Sequence, residues 1–200
     1  MSFDYQPVLQ GDLVELRPLR YEDYDDLYAI AADPLIWEQH PDRNRHEEGR
    51  FQVFFREALA SGGALRAIDT KTQRMIGSSR FHGYDREKSE IEIGWTFLAR
   101  SHWGGLYNGQ MKQLMLQHAF RFVNCVVFLV GSQNLRSQRA VEKIGGVRVG
   151  SRPDAAGRDR HVYQVTASIF AQHAHTPRGQ ALAHCHRRLR GRATHAEPAR

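Results

Sequence analysis

The order of apolar and polar positions predicts strands that alternate with helices along most of the chain. Apolar and polar residues alternate over 14–19, which is typical of a half-buried strand. The apolar run Val126–Val130 is typical of a strand covered on both faces. The predicted strands are 14–19, 64–69, 75–81, 90–98, 126–130, 147–149 and 160–167. Helical spacing predicts helices over 21–32, 47–61, 107–122 and 135–144. The pattern therefore predicts one mixed α/β domain over residues 1–170.

The positive charge of the chain is concentrated in its last thirty residues. The net charge is +6, and segment 171–200 contains six arginines against one acid, Glu197. The predicted domain is therefore nearly neutral, which argues against a nucleic-acid partner for it. The segment has few large apolar residues, so we expect a disordered basic tail. It includes His184-Cys185-His186, but metal sites need spaced ligands on a rigid frame, so no metal site is predicted.

Other features of the composition predict a cytoplasmic protein without a membrane partner. No apolar run approaches the roughly 18 residues that a membrane-spanning helix needs. The first five residues lack the basic and apolar regions of a signal peptide. The two cysteines, Cys125 and Cys185, are too few for a disulfide framework. The sequence leaves open whether the protein is a monomer or a homodimer.

A glycine-containing loop directly before the third predicted helix is a candidate anion site. Its sequence is Trp103-Gly104-Gly105-Leu106-Tyr107-Asn108-Gly109-Gln110. Small residues allow backbone N–H groups to approach a ligand, and a helix N-terminus adds positive partial charge, so the loop suits a pyrophosphate. The motif is neither a Walker loop nor a dinucleotide fingerprint. On its own it is a weak signal and favours a tight turn that enters a core helix.

Four spaced motifs around this loop resemble the GNAT superfamily of N-acetyltransferases, and within it the RimJ/RimL-like branch. They are Glu92-Ile93-Gly94-Trp95, His102-Trp103-Gly104-Gly105-Leu106-Tyr107, Asn134 to Ser137, and Glu142-Lys143-Ile144-Gly145. The resemblance covers residues 12–168. It implies a mixed, mostly antiparallel sheet of about seven strands flanked by four helices. It also implies acetyl-CoA as co-substrate and a primary amine as acceptor: a protein N-terminus, an amino acid or a small amine.

The resemblance also implies where the cofactor binds. In such folds the fourth strand carries a bulge where it diverges from the fifth, and pantetheine enters the gap. Gly94 is the predicted bulge residue, because a glycine inside a strand often marks one. Asn134 either holds pantetheine or caps the fourth helix. The implied cofactor-binding residues are Trp95, Thr96, His102, Trp103, Gly104, Gly105, Leu106, Tyr107, Asn108, Asn134 and Ser137.

The catalytic candidates are two glutamates and a serine. Period-two alternation places Glu90, Glu92, Gly94 and Thr96 on one face of the fourth strand. Either carboxylate can accept the proton that the acceptor amine must lose, and Glu92, which matches the motif, is the first choice. Many GNAT enzymes place a tyrosine on the fourth helix to protonate the leaving thiolate, and Val141 occupies that position here. Ser137 is the remaining candidate for contact with the sulfur.

The acceptor pocket is expected between the first two helices and the diverging strands. The loop between these helices contains Trp37 and His40, and the third strand leads into His82. Each of these three residues either lines the pocket or has a structural role.

Two other functions compete with a transferase. Leu106 occupies a position where a small residue is usual in the family, and Val141 replaces the tyrosine. Both departures favour a GNAT-fold protein that holds an acyl-CoA without turnover. The basic tail favours a third possibility, a nucleic-acid-associated protein.

Overall fold

A computed structural model describes residues 2–154 and 156–174 of the chain. The strands are β1 (Leu9–Gln10), β2 (Val14–Pro18), β3 (Ala64–Asp69), β4 (Met75–Asp85), β5 (Glu90–Leu98), β6 (Cys125–Gly131), β7 (Val147–Pro153) and β8 (Asp159–Thr166). The helices are α1 (Tyr24–Ala31), α2 (Glu48–Ala60), α3 (Tyr107–Ala119), α4 (Leu135–Glu142) and α5 (Ala167–Ala174). The mixed α/β fold predicted from the sequence is confirmed.

The described strands form one sheet in the order β1-β2-β3-β4-β5-β6-β8-β7. Neighbouring strands within the described residues are antiparallel except β5 and β6, which are parallel. This single parallel pair extends only from Glu90 opposite Cys125 to Glu92 opposite Val127. Beyond Glu92 no further β5–β6 pair occurs in the described chain, so the two strands part at the centre of the sheet.

Two hydrophobic clusters hold the helices against the sheet. The larger one contains Met111 and Met115 of α3 with Ile91 and Ile93 of β5. The second contains the aromatic face of α2, including Phe54, with Phe97 of β5. Strand β5 therefore contributes to both clusters and separates α3 from α1 and α2.

The structure adds one strand and one α-helix to those predicted from the sequence. Strand β1 has only two residues, too few to show a hydrophobic period. Helix α5 lies at the C-terminal end of the described chain and continues to Ala174, across the predicted boundary at residue 170. Residues 175–200 lie outside the described part, so the tail, its histidines and Cys185 stay predictions. No helix of the described residues has the length and apolar character needed to cross a membrane.

The close approach of β4 and β5 leads to a test of the fold. A Cβ atom added to Gly77 would lie 2.1 Å from the Phe97 carbonyl oxygen, a backbone atom that cannot move aside alone. We expect Gly77→Ala to lower the free energy of unfolding by about 1–3 kcal/mol, as overpacking does. Urea denaturation measures this.

The control for this variant is Gly49→Ala in the exposed part of α2. A Cβ there meets no atom within 4 Å, so the substitution should stabilise the protein by about 0.5–1 kcal/mol. Equal stabilities for the two variants would contradict the packing described here.

Candidate active site

Strand β5 contains a bulge at the point where it leaves β6. Ser78 pairs with Phe97 and Arg80 pairs with Gly94, so Trp95 and Thr96 together face Ser79. Trp95 has a φ of 51°, in the left-handed region that non-glycine residues seldom occupy. Such backbone conformations cost energy and concentrate at functional sites. The predicted bulge is present, but its left-handed residue is Trp95 and not Gly94.

The bulge shifts the alternation of side chains by one residue. Ile91 and Ile93 face α3, as does Leu98, whereas Phe97 faces α2. The predicted alternation therefore fails after Gly94. Trp95 lies on the face of Glu92 and packs edge-on against His82, with 5.2 Å between the ring centroids. Thr96 turns to the opposite face, and the physical reason is the extra residue of the bulge.

Lys112 of α3 holds Thr96 on that opposite face. Its ammonium group donates hydrogen bonds to the Ser79 hydroxyl, at 3.1 Å, and to the Thr96 hydroxyl. The side chain is buried, and its Nζ lies 5.6 Å from the centroid of the Phe128 ring. Burial lowers the pKa of Lys112 to about 7. The role of Lys112 could not be predicted from the sequence, because a lysine on a helix is normally assigned to the solvent-exposed face.

Glu92 lies on the other face of β5, beside the point where the strands part. It pairs with His82 of β4, and its Oε1 lies 3.1 Å from the position that a Cβ on Gly94 would take. Gly94 thus leaves room for the carboxylate to lie along the strand. Burial raises the pKa of Glu92 to about 7, against the opposing charges of Arg152, Arg160 and Arg80. A carboxyl group with this pKa can accept a proton near neutral pH.

Glu90 and His82 lie on the same face as Glu92 but in different surroundings. Glu90 is the first residue of β5 and lies beside Asp85 and Cys125, inside the paired part of the sheet. His82 is exposed and lies directly opposite Glu92. The geometry brings Glu92, His82 and Trp95 together and leaves Glu90 farther from the bulge.

The loop after β5 is open towards the N-terminus of α3. Gly104 has a φ of 71°, and Cβ atoms on Gly104 or Gly105 would meet nothing within 4 Å. Leu106 directly precedes the helix and is 47% exposed. No side chain caps the first turn of α3, and Asn108 in that turn is half-buried. The first N–H groups of α3 are therefore available to an anion such as a pyrophosphate.

His102 and Tyr107 bind Asp69 at the end of β3. The Tyr107 hydroxyl donates to Asp69 Oδ2 at 3.1 Å, and His102 Nε2 lies 3.4 Å from the same oxygen. Burial of Asp69 acts to raise its pKa, but hydrogen bonds from the Lys71 backbone and from His102 outweigh burial and lower it. In this arrangement the two predicted cofactor residues anchor the loop. The role of Asp69 could not be predicted from the sequence, because Asp69 lies at the end of β3, distant from the motif.

Trp103 connects the same loop to α4. Its indole N–H donates to the Leu98 carbonyl at 2.9 Å, and the Arg136 guanidinium lies 3.9 Å from its ring centroid. Arg136 also donates to the Ile36 carbonyl at 2.8 Å. This stack joins the loop, α4 and the segment before Trp37.

The residues that were singled out on α4 contact the helix itself or the hydrophobic core. The Asn134 side chain accepts a hydrogen bond from the Ser137 backbone N–H at 3.1 Å, so Asn134 caps the helix. Ser137 is half-buried in the first turn of α4. Val141 is buried in the larger hydrophobic cluster.

The remaining two candidates for the acceptor pocket are held by their neighbours. Trp37 is 2% exposed, donates to the Ala31 carbonyl at 2.7 Å, and packs on Phe97. His40 Nδ1 accepts from the Asp42 backbone N–H at 2.9 Å. Burial and the charge of Arg45 lower the pKa of His40 to about 3, so the ring is neutral. Within the described chain, no group of three His, Cys, Asp or Glu residues is arranged to hold a metal ion.

Replacing Lys112 with methionine tests the lysine that holds the bulge. Its pKa is about 10.4 in an unfolded chain and about 7 in the fold. Below pH 7 both states carry the proton, and the penalty of burying the charge is complete. Between about pH 7 and 10 the unfolded chain binds more protons, so the wild type becomes more stable as the pH rises.

In Lys112→Met this rise should be absent. Its stability relative to wild type should fall by on the order of 4 kcal/mol between pH 6 and 10, measured by urea denaturation across that range. Lys71→Met, in an exposed turn, is the control and should follow the wild type. A pH dependence shared by all three proteins would show that Lys112 is not buried as described.

Comparisons with known proteins agree with this architecture. A family model described as an acetyltransferase (GNAT) domain matches residues 14–147. No curated protein matches the chain. A putative acetyltransferase from T. thermophilus is 26% identical, with a TM-score of 0.69 over 86% of this chain and 97% of that one.

Two solved structures of named enzymes share the fold. RimJ from Mycobacterium smegmatis, in complex with CoA-disulfide, is 20% identical, with a TM-score of 0.59 over 80% of this chain and 87% of that one. Spermidine N-acetyltransferase from Vibrio cholerae, in complex with CoA and spermine, is 14% identical, with a TM-score of 0.62 over 80% and 99%. Since the family model covers more than half of the chain, the protein belongs to the GNAT acetyltransferase family.

Proposed function

We propose that the protein transfers an acetyl group from acetyl-CoA to a primary amine by direct attack in a ternary complex. The observation that carries the proposal is Glu92, a half-buried carboxyl group with a pKa of about 7 beside the β5 bulge. A protein that only holds an acyl-CoA has no need for a proton acceptor on that face. The similarity to RimJ supports placing the chain in the RimJ/RimL-like branch.

The residues present fit CoA. The gap between β5 and β6 suits an extended chain, and the uncapped N-terminus of α3 beside Gly104 and Gly105 suits the pyrophosphate. The fold neighbours that contain CoA-disulfide or CoA support this assignment. Bound acetyl-CoA supplies an acyl group that is activated as a thioester. Within this site we assign His102 and Tyr107 the role of holding the loop through Asp69.

The protein contributes three groups to the reaction. Glu92 removes the proton from the acceptor ammonium, whose pKa is about 8 for an N-terminus and about 10.4 for a lysine, so that the neutral amine attacks. At the bulge the regular pairing of β5 with β4 is interrupted, and a backbone N–H of Trp95 or Thr96 would donate a hydrogen bond to the thioester carbonyl oxygen of bound acetyl-CoA. Ser137 remains the proposed contact to the sulfur.

Binding of acetyl-CoA is tested by thermal melting. At about 100 times its Kd, acetyl-CoA should stabilise the fold by roughly 2.7 kcal/mol, which raises the melting temperature by about 5–10 °C. Gly105→Asp should weaken binding at least about tenfold, because the new carboxylate lies beside the phosphates.

The matched control for this variant is Gly105→Asn, which adds the same volume without charge and should keep most of the shift. ATP and NAD should leave the melting temperature unchanged. If acetyl-CoA gave no shift either, the cofactor assignment would be wrong.

The pH dependence of turnover tests the role of Glu92. Glu92 must be deprotonated to accept a proton, so kcat/KM should rise with pH through about 7 and then level off. Glu92→Gln should lower kcat about 10²–10⁴-fold and abolish the rise of kcat/KM with pH, with acetyl-CoA binding retained.

Glu90→Gln is the comparison, and it should keep both the wild-type kcat and the rise of kcat/KM with pH. If Glu92→Gln turned over at the wild-type rate, the proton acceptor would lie elsewhere. If neither variant nor wild type acetylated any amine while acetyl-CoA still bound, the non-catalytic alternative would be correct.

A further inference from the structure

Arg80 is a buried arginine without a counterion. It lies in the middle of β4, opposite Gly94, and is only 5% exposed. Its Nε and Nη2 atoms are enclosed, and neither has a hydrogen-bond partner among the described residues. Burial lowers the pKa of Arg80 to about 10, so the side chain still carries its charge at neutral pH. A charge that is enclosed without a partner is costly, so this position calls for a ligand.

The two unpartnered atoms form one edge of the guanidinium group. Nε–H and the neighbouring Nη2–H point in the same direction and fit both oxygens of one carboxylate. The same chain uses this edge at its surface, where Arg17 Nε and Nη2 donate to the two oxygens of Glu15 at 2.9 Å each. The free edge of Arg80 therefore has the geometry of half of such a pair.

Aromatic rings lie against the faces of the Arg80 guanidinium. Its Cζ lies 4.6 Å from the Trp95 ring centroid and 5.7 Å from that of Phe54. Arg45 approaches the Phe54 ring as well, at 4.6 Å, but it is paired with Asp42. No carboxylate of the described residues forms an ion pair with Arg80, although the charges of Glu57 and Glu92 both act on it. The edge, and not the face, is thus the enclosed part of the group that lacks a partner among the described residues.

The position of Arg80 relates it to the proposed proton acceptor. Arg80 pairs with Gly94 and His82 pairs with Glu92, so Arg80 and Glu92 occupy diagonal positions on one face of the sheet. Residues at such positions are about 7–8 Å apart, and their Cβ atoms are somewhat closer. A ligand that reaches both side chains can be short. Arg152 and Arg160 also act on Glu92, so the surroundings of this carboxyl group are positive and disfavour polycationic acceptors.

We propose that the acceptor is a free amino acid, whose α-carboxylate binds the Nε–Nη2 edge of Arg80 while its amine faces Glu92. This inference rests on the proposed function and adds the substrate class. It gives the left-handed Trp95 a second role, because that conformation places the indole over the guanidinium. It also predicts that an amine without a neighbouring carboxylate is a poor acceptor.

Binding of reaction products tests the proposal without turnover. The full-length protein is titrated, with CoA present, against the N-acetyl derivatives of the twenty amino acids and against their carboxamides. At least one N-acetyl amino acid should bind about 30-fold or more tightly than its carboxamide, because the amide leaves the buried charge unpaired. Arg80→Met should remove this difference, and Arg80→Lys should keep only part of it, because lysine lacks the two-donor edge.

The exposed Arg74→Met is the control and should bind like the wild type. Arg80→Met should melt at the wild-type temperature or above it, since the substitution removes an unpaired buried charge. A variant that melts lower or fails to fold would make Arg80 a structural cation and overturn the proposal. Equal binding of acids and carboxamides, or no binding of any acid, would overturn it as well.

One further outcome separates a small molecule from a protein. If only the carboxamides of N-acetyl-aspartate and N-acetyl-glutamate bound in an Arg80-dependent way, the ligand would be an acidic N-terminal residue, and the free amino acid would be wrong. Acetyl transfer from acetyl-CoA is measured separately. Arg80-dependent binding without transfer would refute the proposed function alone, whereas transfer to amines without acid binding would refute only this inference.

Discussion

Lys112 holds the β5 bulge by donating hydrogen bonds to Ser79 and Thr96, and the arrangement of the candidate site follows from that bulge. The extra residue lets β5 leave β6 after Glu92 and rotates Trp95 onto the face of Glu92. Without the shift, Trp95 would face α3, and the guanidinium of Arg80 would lack its cover. The bulge therefore sets the opening between the strands and the composition of the acceptor face together.

Three ionisable groups are buried or half-buried around this bulge, and none forms an ion pair within the described chain. Lys112 is bound only by hydroxyl groups, Glu92 lies along Gly94, and Arg80 is enclosed by aromatic rings. Burial shifts the pKa of each towards its neutral form. The two hydrophobic clusters above and below the sheet provide the stability that allows this, since buried unpaired charges weaken a fold.

Much of the architecture could be predicted because it depends on local periods. Alternation along Val14–Pro18 and helical spacing along α2 depend on residues that are close in sequence, and both elements formed as expected. The family motifs also located Glu92 and the loop around Gly104. Which β5 side chains face which side of the sheet after Gly94 could not be predicted. The alternation there is shifted by a bulge, and a bulge depends on pairing with β4, which is distant in sequence.

The missed side chains share one physical cause. Lys112, Asp69 and Arg80 are polar residues whose burial depends on neighbours far along the chain, and a single sequence assigns such residues to the surface. Arg80 had a visible signal, because it is the only charged residue in the predicted strand 75–81. A charged residue at the centre of a sheet needs a partner, and within the described residues β4 and its neighbours provide none. The same reasoning therefore assigns Glu92 to proton transfer and Arg80 to ligand binding. Each residue is an ionisable group whose burial without a partner costs free energy, and a bound acceptor would lower that cost.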